Sequence, residues 1–225
     1  MQLAKPHMDV GLWTNNPEEM KAFYAEELGI LFDSILPIGK GQRQHRHDMM
    51  GSVLKINHDR NGSPLMPPAG YRRLILARES LAEPFALSDP DGNRLLIVPD
   101  GWHGVTRIAM ELGVRNVAEH EAFYGEALGL PRNADGGYLA GDSVIFCRHD
   151  ADAPTDAAME GTGFRYLTFQ VAKVDEAHAA VLAAGGTEGR PPVTLGDIAR
   201  ISFVRDPDGN WIELSQRKSI TGSLD

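Results

Sequence analysis

A carboxylate in the C-terminal part of the chain has no counterpart in an otherwise repeated motif. The segment DPDGNWIEL begins at Asp206 and contains Glu213 as its eighth residue. A near copy, DPDGNRLLI, begins at Asp89 and carries Leu96 at the matching position. Two copies of one hairpin motif therefore differ at a residue that is able to do chemistry.

The alternation of a β-strand sets the surroundings of this carboxylate. Glu213 shares one strand face with Trp211 and Ser215, whereas Ile212 and Leu214 share the other face. A carboxylate on such a face is able to ligate a metal ion or to act as a general base. An apolar wall beside it would raise its pKa and suit base chemistry near neutral pH. We therefore predict a catalytic role for Glu213 and a substrate-binding role for Trp211.

The segment QHRHD, residues 44–48, places His45 and His47 two positions apart on a predicted strand. Their side chains then point to the same face. Such a pair is able to bind a metal ion or to polarise a carbonyl group, so both are predicted to contact substrate. The alternative is a solvated polar strand.

Two further carboxylates lie on the polar faces of alternating strands. In HMDVGLW, Asp9 lies opposite the apolar residues, and in RIAMELGV the same is true of Glu111. Both are predicted to contact substrate. Glu111 is also a possible substitute metal ligand, since a shift of two residues along a strand, about 7 Å, keeps the same face.

A second repeat indicates how these strands are arranged. FYAEELGI at 23–30 returns as FYGEALGL at 123–130, and each copy predicts a helix. Asn16 and Asn116 are the predicted N-caps, each followed three residues later by a glutamate. A glycine after each FY motif is predicted to end its helix.

The spacing of the landmarks differs between the two copies. The step from the FY helix to the DPDG hairpin is 66 residues in the first copy, from Phe23 to Asp89. It is 83 residues in the second copy, from Phe123 to Asp206. The second copy contains the helical pattern VDEAHAAVLAAGG, whereas the first passes almost directly from a strand to its hairpin. The pattern predicts an α+β fold of four strand-helix-strand-strand-strand modules, the second lacking its helix. They form an N-terminal half, residues 1–100, and a C-terminal half, residues 104–218.

The composition limits the function. The 225 residues include 22 Lys and Arg against 31 Asp and Glu, for a net charge of −9, with no extended basic cluster. This balance argues against nucleic acid or an anionic membrane as the main partner. A single cysteine excludes an intrachain disulfide, and from the lack of long apolar runs we expect neither a signal peptide nor a membrane span. These features predict a cytoplasmic protein.

The FYxxxLG helices and the DPDGN hairpins resemble those of the vicinal oxygen chelate superfamily. It includes glyoxalase I, extradiol dioxygenases, methylmalonyl-CoA epimerase and the bleomycin and fosfomycin resistance proteins. The resemblance covers nearly the whole chain and is specific for the fold, whereas the superfamily supports many reactions. It implies paired βαβββ modules that form two cup-like mixed sheets, and a possible homodimer.

The resemblance also implies positions for metal ligands. The first-strand ligand lies fifteen residues before the tyrosine of FYxxxLG, which gives Asp9 and Ala109. The matching residue of the last module is Tyr166, and the last-strand glutamate matches Glu213. The chain departs from the usual pattern because Ala109 cannot ligate a metal and the usual histidines are absent. Iron, manganese or zinc is a possible cofactor with Glu213 as a ligand, and a metal-free site is the alternative.

The function implied by the resemblance is that of a small-molecule enzyme. We expect a lyase, an isomerase or a relative of the ring-cleaving dioxygenases, acting in the C-terminal cup on an oxygenated substrate that could be aromatic. Glu213 and Tyr166 would be its catalytic residues. The alternative is a metal-free protein that binds a drug or an aromatic molecule, like the bleomycin resistance proteins.

Overall fold

The computed structural model describes residues 1–39 and 41–225. Strands dominate this part of the chain. In chain order they are β1 (Leu3–Trp13), β2 (Phe32–Gly39), β3 (Gln42–Met49), β4 (Ser52–Asp59), β5 (Tyr71–Arg78), β6 (Phe85–Ser88), β7 (Arg94–Pro99), β8 (Ile108–Val114), β9 (Tyr138–Ala140), β10 (Ser143–His149), β11 (Gly163–Val171), β12 (Thr187–Leu195), β13 (Ala199–Arg205) and β14 (Trp211–Arg217).

The helices are short. They are α1 (Pro17–Ala22), α2 (Val117–Glu121), α3 (Val174–Ala183) and α4 (Lys218–Thr221), and the first two continue as the π-helical turns Phe23–Glu27 and Ala122–Ala127. No helix of residues 1–39 and 41–225 is long and apolar enough to cross a membrane. The segment between β5 and β6 contains no helix, as the trimmed second module predicted.

The strands form two mixed sheets. The larger sheet has the order β12-β13-β14-β11-β1-β4-β3-β2, and the smaller has the order β6-β7-β5-β8-β10-β9. The predicted architecture of module-built, cup-like sheets is confirmed. Each sheet combines one module from each half of the chain. The cup that contains Glu213 therefore requires β1 to β4, and the expectation that the C-terminal half alone forms this cup is corrected.

Within each half, the FY helix is bonded to the DPDGN hairpin. The Tyr24 hydroxyl donates to Asp89 at 2.8 Å, and the Tyr124 hydroxyl donates to Asp206 at 3.2 Å. Asp206 also accepts the backbone N–H groups of its own turn, at Asp208 and Asn210. The two repeated motifs therefore hold the two modules of a half together on the helix side of the sheets.

The caps of the two FY helices differ. Asn116 accepts the N–H groups of Ala118 and Glu119, as predicted for an N-cap. Asn16 occupies the predicted N-cap position, and its carbonyl accepts the Met20 N–H at 3.0 Å. Its side chain makes no cap bond, however, and donates instead to Asp91 at 2.6 Å. Both helices end before a glycine with positive φ, as predicted, since a left-handed residue at this position favours glycine.

The main core lies where the apolar faces of the two sheets meet the buried faces of α1, α3 and the two π-helical turns. Met8 and Leu167 represent the larger sheet in this core, and Leu74 and Met110 represent the smaller one. The opposite face of each sheet forms its cup. The cup of the smaller sheet is filled by a separate apolar cluster, which includes Leu96. The leucine at the position that matches Glu213 therefore packs within an apolar cluster.

Candidate active site in the polar cup

The other face of the larger sheet, which we call the polar cup, carries a dense group of polar side chains. The strand register explains why these side chains lie close together, because Asp9 pairs with Thr168 and Thr168 pairs with Glu213 on adjacent strands. Paired residues of adjacent strands project to the same face. The group consists of Asp9, Gln44, Arg46, Lys55, Asn57, Tyr166, Thr168, Gln170 and Glu213, and all but Glu213 are less than 10% exposed.

An ion pair joins opposite sides of the polar cup. The Lys55 ammonium donates to Glu213 Oε2 at 2.7 Å and to the Thr168 hydroxyl at 2.7 Å. Thr168 in turn donates to the same Glu213 oxygen at 2.7 Å. The Glu213 side chain is 13% exposed, and both bonds fall on Oε2, so Oε1 is the oxygen left for the open part of the cup.

The ionisation of this pair differs from the sequence-based prediction. Burial alone would raise the pKa of Glu213, but the charge and hydrogen bond of Lys55, with the Thr168 hydroxyl, hold it below its ordinary value. Burial lowers the pKa of Lys55, and the nearby Glu213 and Asp9 carboxylates partly oppose this. The prediction of a raised pKa for Glu213 is therefore wrong, because the lysine was not foreseen as its partner.

Tyr166 lies beside this pair, with its ring centroid 5.4 Å from Lys55 Nζ, and its catalytic role stays a prediction. Its hydroxyl oxygen accepts hydrogen bonds from Asn57 at 3.1 Å and from Gln44 at 3.3 Å. Two amide donors occupy the acceptor positions of the phenol, so its own hydrogen is free to be donated. Burial and the charge of Glu213 raise the pKa of Tyr166, which keeps the phenol protonated at neutral pH.

A glycine determines the orientation of Tyr166. Gly11 is the register partner of Tyr166, and a Cβ atom at Gly11 would lie 2.2 Å from the tyrosine ring. The ring therefore lies across β1 in a space that only glycine provides. This position brings the hydroxyl to Asn57 and Gln44 on the next two strands.

Two guanidinium groups are also associated with the polar cup. Arg46 is 9% exposed and donates to Gln44 at 3.0 Å. Among the described residues, neither Arg46 nor Arg217 has a carboxylate oxygen within 4 Å. Burial and the nearby charge of Arg217 lower the pKa of Arg46. A buried guanidinium without a carboxylate partner is suited to bind an anionic group of a ligand.

An apolar wall adjoins the polar group. Trp211 packs edge-on against Phe203 at 5.9 Å between ring centroids, and Met159 and Tyr166 belong to the same buried cluster. The Trp211 indole donates to the Ala157 carbonyl at 2.7 Å, which fixes the ring. Trp211 thus lies on the predicted face and supplies an apolar surface next to Glu213.

Asp9 also lies in the polar cup, but its oxygens are engaged. Its carboxylate accepts the Val53 N–H at 2.9 Å, the Lys5 ammonium at 3.2 Å and the Gln170 amide at 3.2 Å. The side chain is fully buried. Asp9 therefore supplies a fixed negative charge to the cup, while a direct contact with substrate stays a prediction.

The two histidines of QHRHD lie on the opposite face of the larger sheet. His45 and His47 pair with the core residues Ile56 and Leu54 and line a separate cavity of about 470 Å³ against α1. His47 Nδ1 lies 2.9 Å from the Ile30 carbonyl. Burial lowers the pKa of both imidazoles, that of His45 to about 4. The structure therefore does not bring these histidines together with Glu213.

Glu111 lies in the other sheet. Its carboxylate accepts a hydrogen bond from Arg73 at 2.8 Å, and Glu111 pairs with Arg73 in the β5–β8 register. Strand alternation carries no information about which modules share a sheet. It therefore could not show that the strands of Glu111 and Glu213 belong to different sheets. The structure therefore separates Glu111 from the polar cup, and it cannot replace a ligand there.

The residues of the polar cup do not fit a divalent metal ion. The carboxylates that would bind one are Asp9 and Glu213, and the Lys55 ammonium already bonds to Glu213. A cation among these groups would meet a like charge at hydrogen-bond distance. Within residues 1–39 and 41–225, no group of three His, Cys, Asp or Glu is arranged to hold a metal ion. The predicted role of Glu213 as a metal ligand therefore finds no support in its contacts.

Sequence reasoning did not place several residues of the cup beside Glu213. Lys55 stands between Leu54 and Ile56 in the middle of a strand, and this position was an available signal for a buried lysine. Thr168 follows Tyr166 by two residues on the same face. Arg46 lies between His45 and His47 in the sequence, and the prediction for this strand considered only the two histidines.

Known proteins resemble the chain in two ways. Residues 105–214 match the model of the Glyoxalase/Bleomycin resistance protein/Dioxygenase superfamily. No curated protein sequence matches the chain.

A glyoxalase I variant from Zea mays has a similar fold, with a TM-score of 0.78 at 14% identity, over 100% of this chain and 96% of that chain. A proposed dioxygenase from Bacillus subtilis gives 0.69 at 14% identity, over 100% and 92%. At these identities the structures show a shared fold.

Proposed function

We propose that this chain is a small-molecule enzyme working in the polar cup. Residues 105–214, which match the model of the Glyoxalase/Bleomycin resistance protein/Dioxygenase superfamily, support this proposal. The reaction class is proton transfer at a carbon next to a carbonyl group, as in an isomerase or a lyase. The observation that carries the proposal is the hydroxyl of Tyr166. Two amide donors fill its acceptor positions, which leaves its proton for a ligand.

The substrate class follows from the remaining groups of the cup. Arg46, buried and without a carboxylate partner, suits an anionic group such as a carboxylate. Trp211 and Phe203 suit an aromatic or otherwise apolar body. The substrate is therefore an oxygenated small acid with an apolar part, held between these two regions.

The proposed step uses Glu213 as the proton acceptor. Glu213 Oε1 removes a proton from the carbon next to the carbonyl, the C–H electron pair moves to form an enolate, and Tyr166 donates a hydrogen bond to the enolate oxygen. Return of the proton to another position gives an isomer, and loss of a leaving group from the next carbon gives a lyase product. A preorganised donor at a developing oxyanion is worth a large rate factor. Ring cleavage is less favoured because Lys55 stands among the carboxylates that would bind a redox metal.

Deuterium exchange tests this proposal whatever product the reaction forms. The probe is 2-oxo-4-phenylbutanoate in D₂O, and proton NMR follows the loss of its C3 protons with and without the protein. We expect exchange above the buffer rate, reduced about 100-fold or more in Glu213→Gln, a typical effect of removing a general base. Glu111→Gln in the other sheet is the matched control and should exchange at the wild-type rate. Equal rates in wild type and Glu213→Gln would refute the role of Glu213.

A binding protein is the second candidate. Its supporting observation is the engagement of Glu213 by Lys55, which suits a polar floor under a bound ligand as well as a base. Quenching of Trp211 fluorescence by the same probe, without proton exchange for this or related oxo acids, would favour this candidate. The homodimer stays a prediction, and sedimentation equilibrium would measure it.

A further inference from the structure

We propose that the Lys55 ammonium supplies the positive charge of the polar cup in place of a divalent metal ion, which Asp9 and Glu213 would otherwise bind. Removal of this ammonium should therefore turn the cup into a metal-binding site. The inference concerns the same cup as the proposed function, but its test measures metal and does not depend on turnover.

The positions of the carboxylates support this inference. Asp9, Thr168 and Glu213 are successive register partners on β1, β11 and β14. Adjacent strands lie about 4.8 Å apart, so the two carboxylates flank Thr168 across the volume in front of this face, and the charges of both act on the Lys55 ammonium. The Lys55 ammonium enters that volume from β4, on the far side of β1, and contacts Thr168 and Glu213 there at 2.7 Å.

The charges in this volume also require a cation. Asp9 is fully buried and Glu213 nearly so, and buried carboxylates without a cation are strongly unfavourable. Lys5 contacts Asp9 from a more exposed position, with 21% of its side chain accessible. Lys55, at 3%, is the buried partner. Its loss would leave Glu213 without a cation at hydrogen-bond distance among the described residues, and a divalent ion supplies one.

The ammonium would also contribute to binding. An ammonium group has three N–H bonds, and those to Thr168 and Glu213 account for two. The third is available for a substrate oxygen, next to the phenol of Tyr166, whose ring centroid lies 5.4 Å from Lys55 Nζ. Lys55 would therefore act on a substrate oxygen through a hydrogen bond and charge, in place of direct coordination by a metal.

The experiment compares Lys55→His with the wild type. Both proteins are purified without a His tag, dialysed against Zn²⁺ or Co²⁺, and analysed for metal content and for the metal-dependent shift in melting temperature. We expect about one metal ion per chain in Lys55→His and an affinity at least about 100-fold above that of the wild type. Changes of outer contacts alone alter metal affinity about 10- to 100-fold, and this change adds a ligand and removes a like charge.

Three further variants make the result decisive. Lys5→Met removes the other ammonium at Asp9 and should gain no metal. Lys55→His/Glu213→Gln should lose the metal gained by Lys55→His. Lys55→Met tests whether metal restores the stability of a cup that lacks both the ammonium and a new ligand.

The outcomes separate this inference from the proposed function. Wild-type protein that binds one metal ion per chain through Glu213 would overturn the inference, as would a folded Lys55→His variant, checked by circular dichroism, that binds none. Metal gain without any proton exchange by the wild type would support the inference and count against the proposed function. Proton exchange without metal gain would do the reverse.

Discussion

The Lys55 ammonium reaches Glu213 across two intervening strands of the larger sheet, with 2.7 Å between Nζ and Oε2. Gln44 and Tyr166 are bonded across two strands in the same way. In both cases one residue comes from the N-terminal half and the other from the C-terminal half. The polar cup is thus formed by contacts between the halves, and its geometry depends on these hydrogen bonds across the sheet.

Removal of Lys55 alone should destabilise the protein. Lys55→Met leaves Glu213 as a buried carboxylate without its partner, and we expect a loss of about 3–5 kcal/mol in the free energy of unfolding. The double variant Lys55→Met/Glu213→Met removes both charges and should recover most of that loss. Urea denaturation of the wild type, both single variants and the double variant measures the coupling. Additive single effects would contradict a coupled pair.

Much of the fold was predictable because the repeats carry local signals. The FY helices end at Gly29 and Gly129, where a positive φ favours glycine, and the DPDGN turns bond their own backbone through Asp89 and Asp206. These interactions depend on nearby residues, so a single sequence reveals them. The position of the cap at Asn16 was predicted correctly, but its side-chain bond was not, because Asp91, distant in sequence, binds that side chain.

The candidate site was less predictable because it depends on pairing between modules. Alternation placed Glu213, Trp211 and Asp9 on the correct faces, but it did not identify which faces meet. Glu111 was assigned to the site because strand alternation treats all cup faces as equivalent. Lys55 was not assigned because its partner lies 158 positions later in the chain.

Substitution of Gly11 should disturb Tyr166 specifically. In Gly11→Ala, the added Cβ would lie 2.2 Å from the tyrosine ring, so the ring must move away from Asn57. We expect a loss of about 1–3 kcal/mol in stability, as for overpacking in a core, and a matching loss of proton exchange. Gly125→Ala is the control, because its Cβ would lie 3.7 Å from the nearest atom. Unchanged tyrosine fluorescence and exchange in Gly11→Ala would contradict the proposed packing.

Arg46 should govern the affinity for anionic ligands. Arg46→Gln removes the buried guanidinium that faces the cup without a carboxylate partner, and a hydrogen bond to a charged group contributes about 1.5–3 kcal/mol. We expect the Kd of 2-oxo-4-phenylbutanoate, measured by titration calorimetry, to rise about 10- to 100-fold. The affinity for a neutral ester of the same acid should change little. Arg73→Gln, in the smaller sheet, is the control, and an equal effect there would remove the specific role of Arg46.

His45 should make the protein sensitive to mild acid. Burial, with the charges of Lys21 and His58, lowers the pKa of His45 to about 4 in the folded state, whereas an unfolded histidine titrates near 6.5. Between these values the unfolded chain binds a proton that the folded chain does not. The contribution is therefore fully present above pH 6.5 and is lost as the pH falls toward 4. Because the imidazole borders a cavity open to solvent, which screens its charge, we expect a loss of about 1–2 kcal/mol by pH 5.

Urea denaturation at pH 7.5 and pH 5.0 tests this contribution. The wild type should lose more stability over this interval than His45→Gln, which cannot take up the proton, by about 1–2 kcal/mol. His103→Gln is the control, because the His103 side chain is 49% exposed and contacts Asp135 at the surface. An equal acid-induced loss in the wild type and His45→Gln would show that His45 is not the titrating group. If the acid-induced loss of unfolding free energy is smaller in His45→Gln but not in His103→Gln, the acid sensitivity lies at His45. This residue is on the buried face of β3, on the side of the sheet away from Glu213.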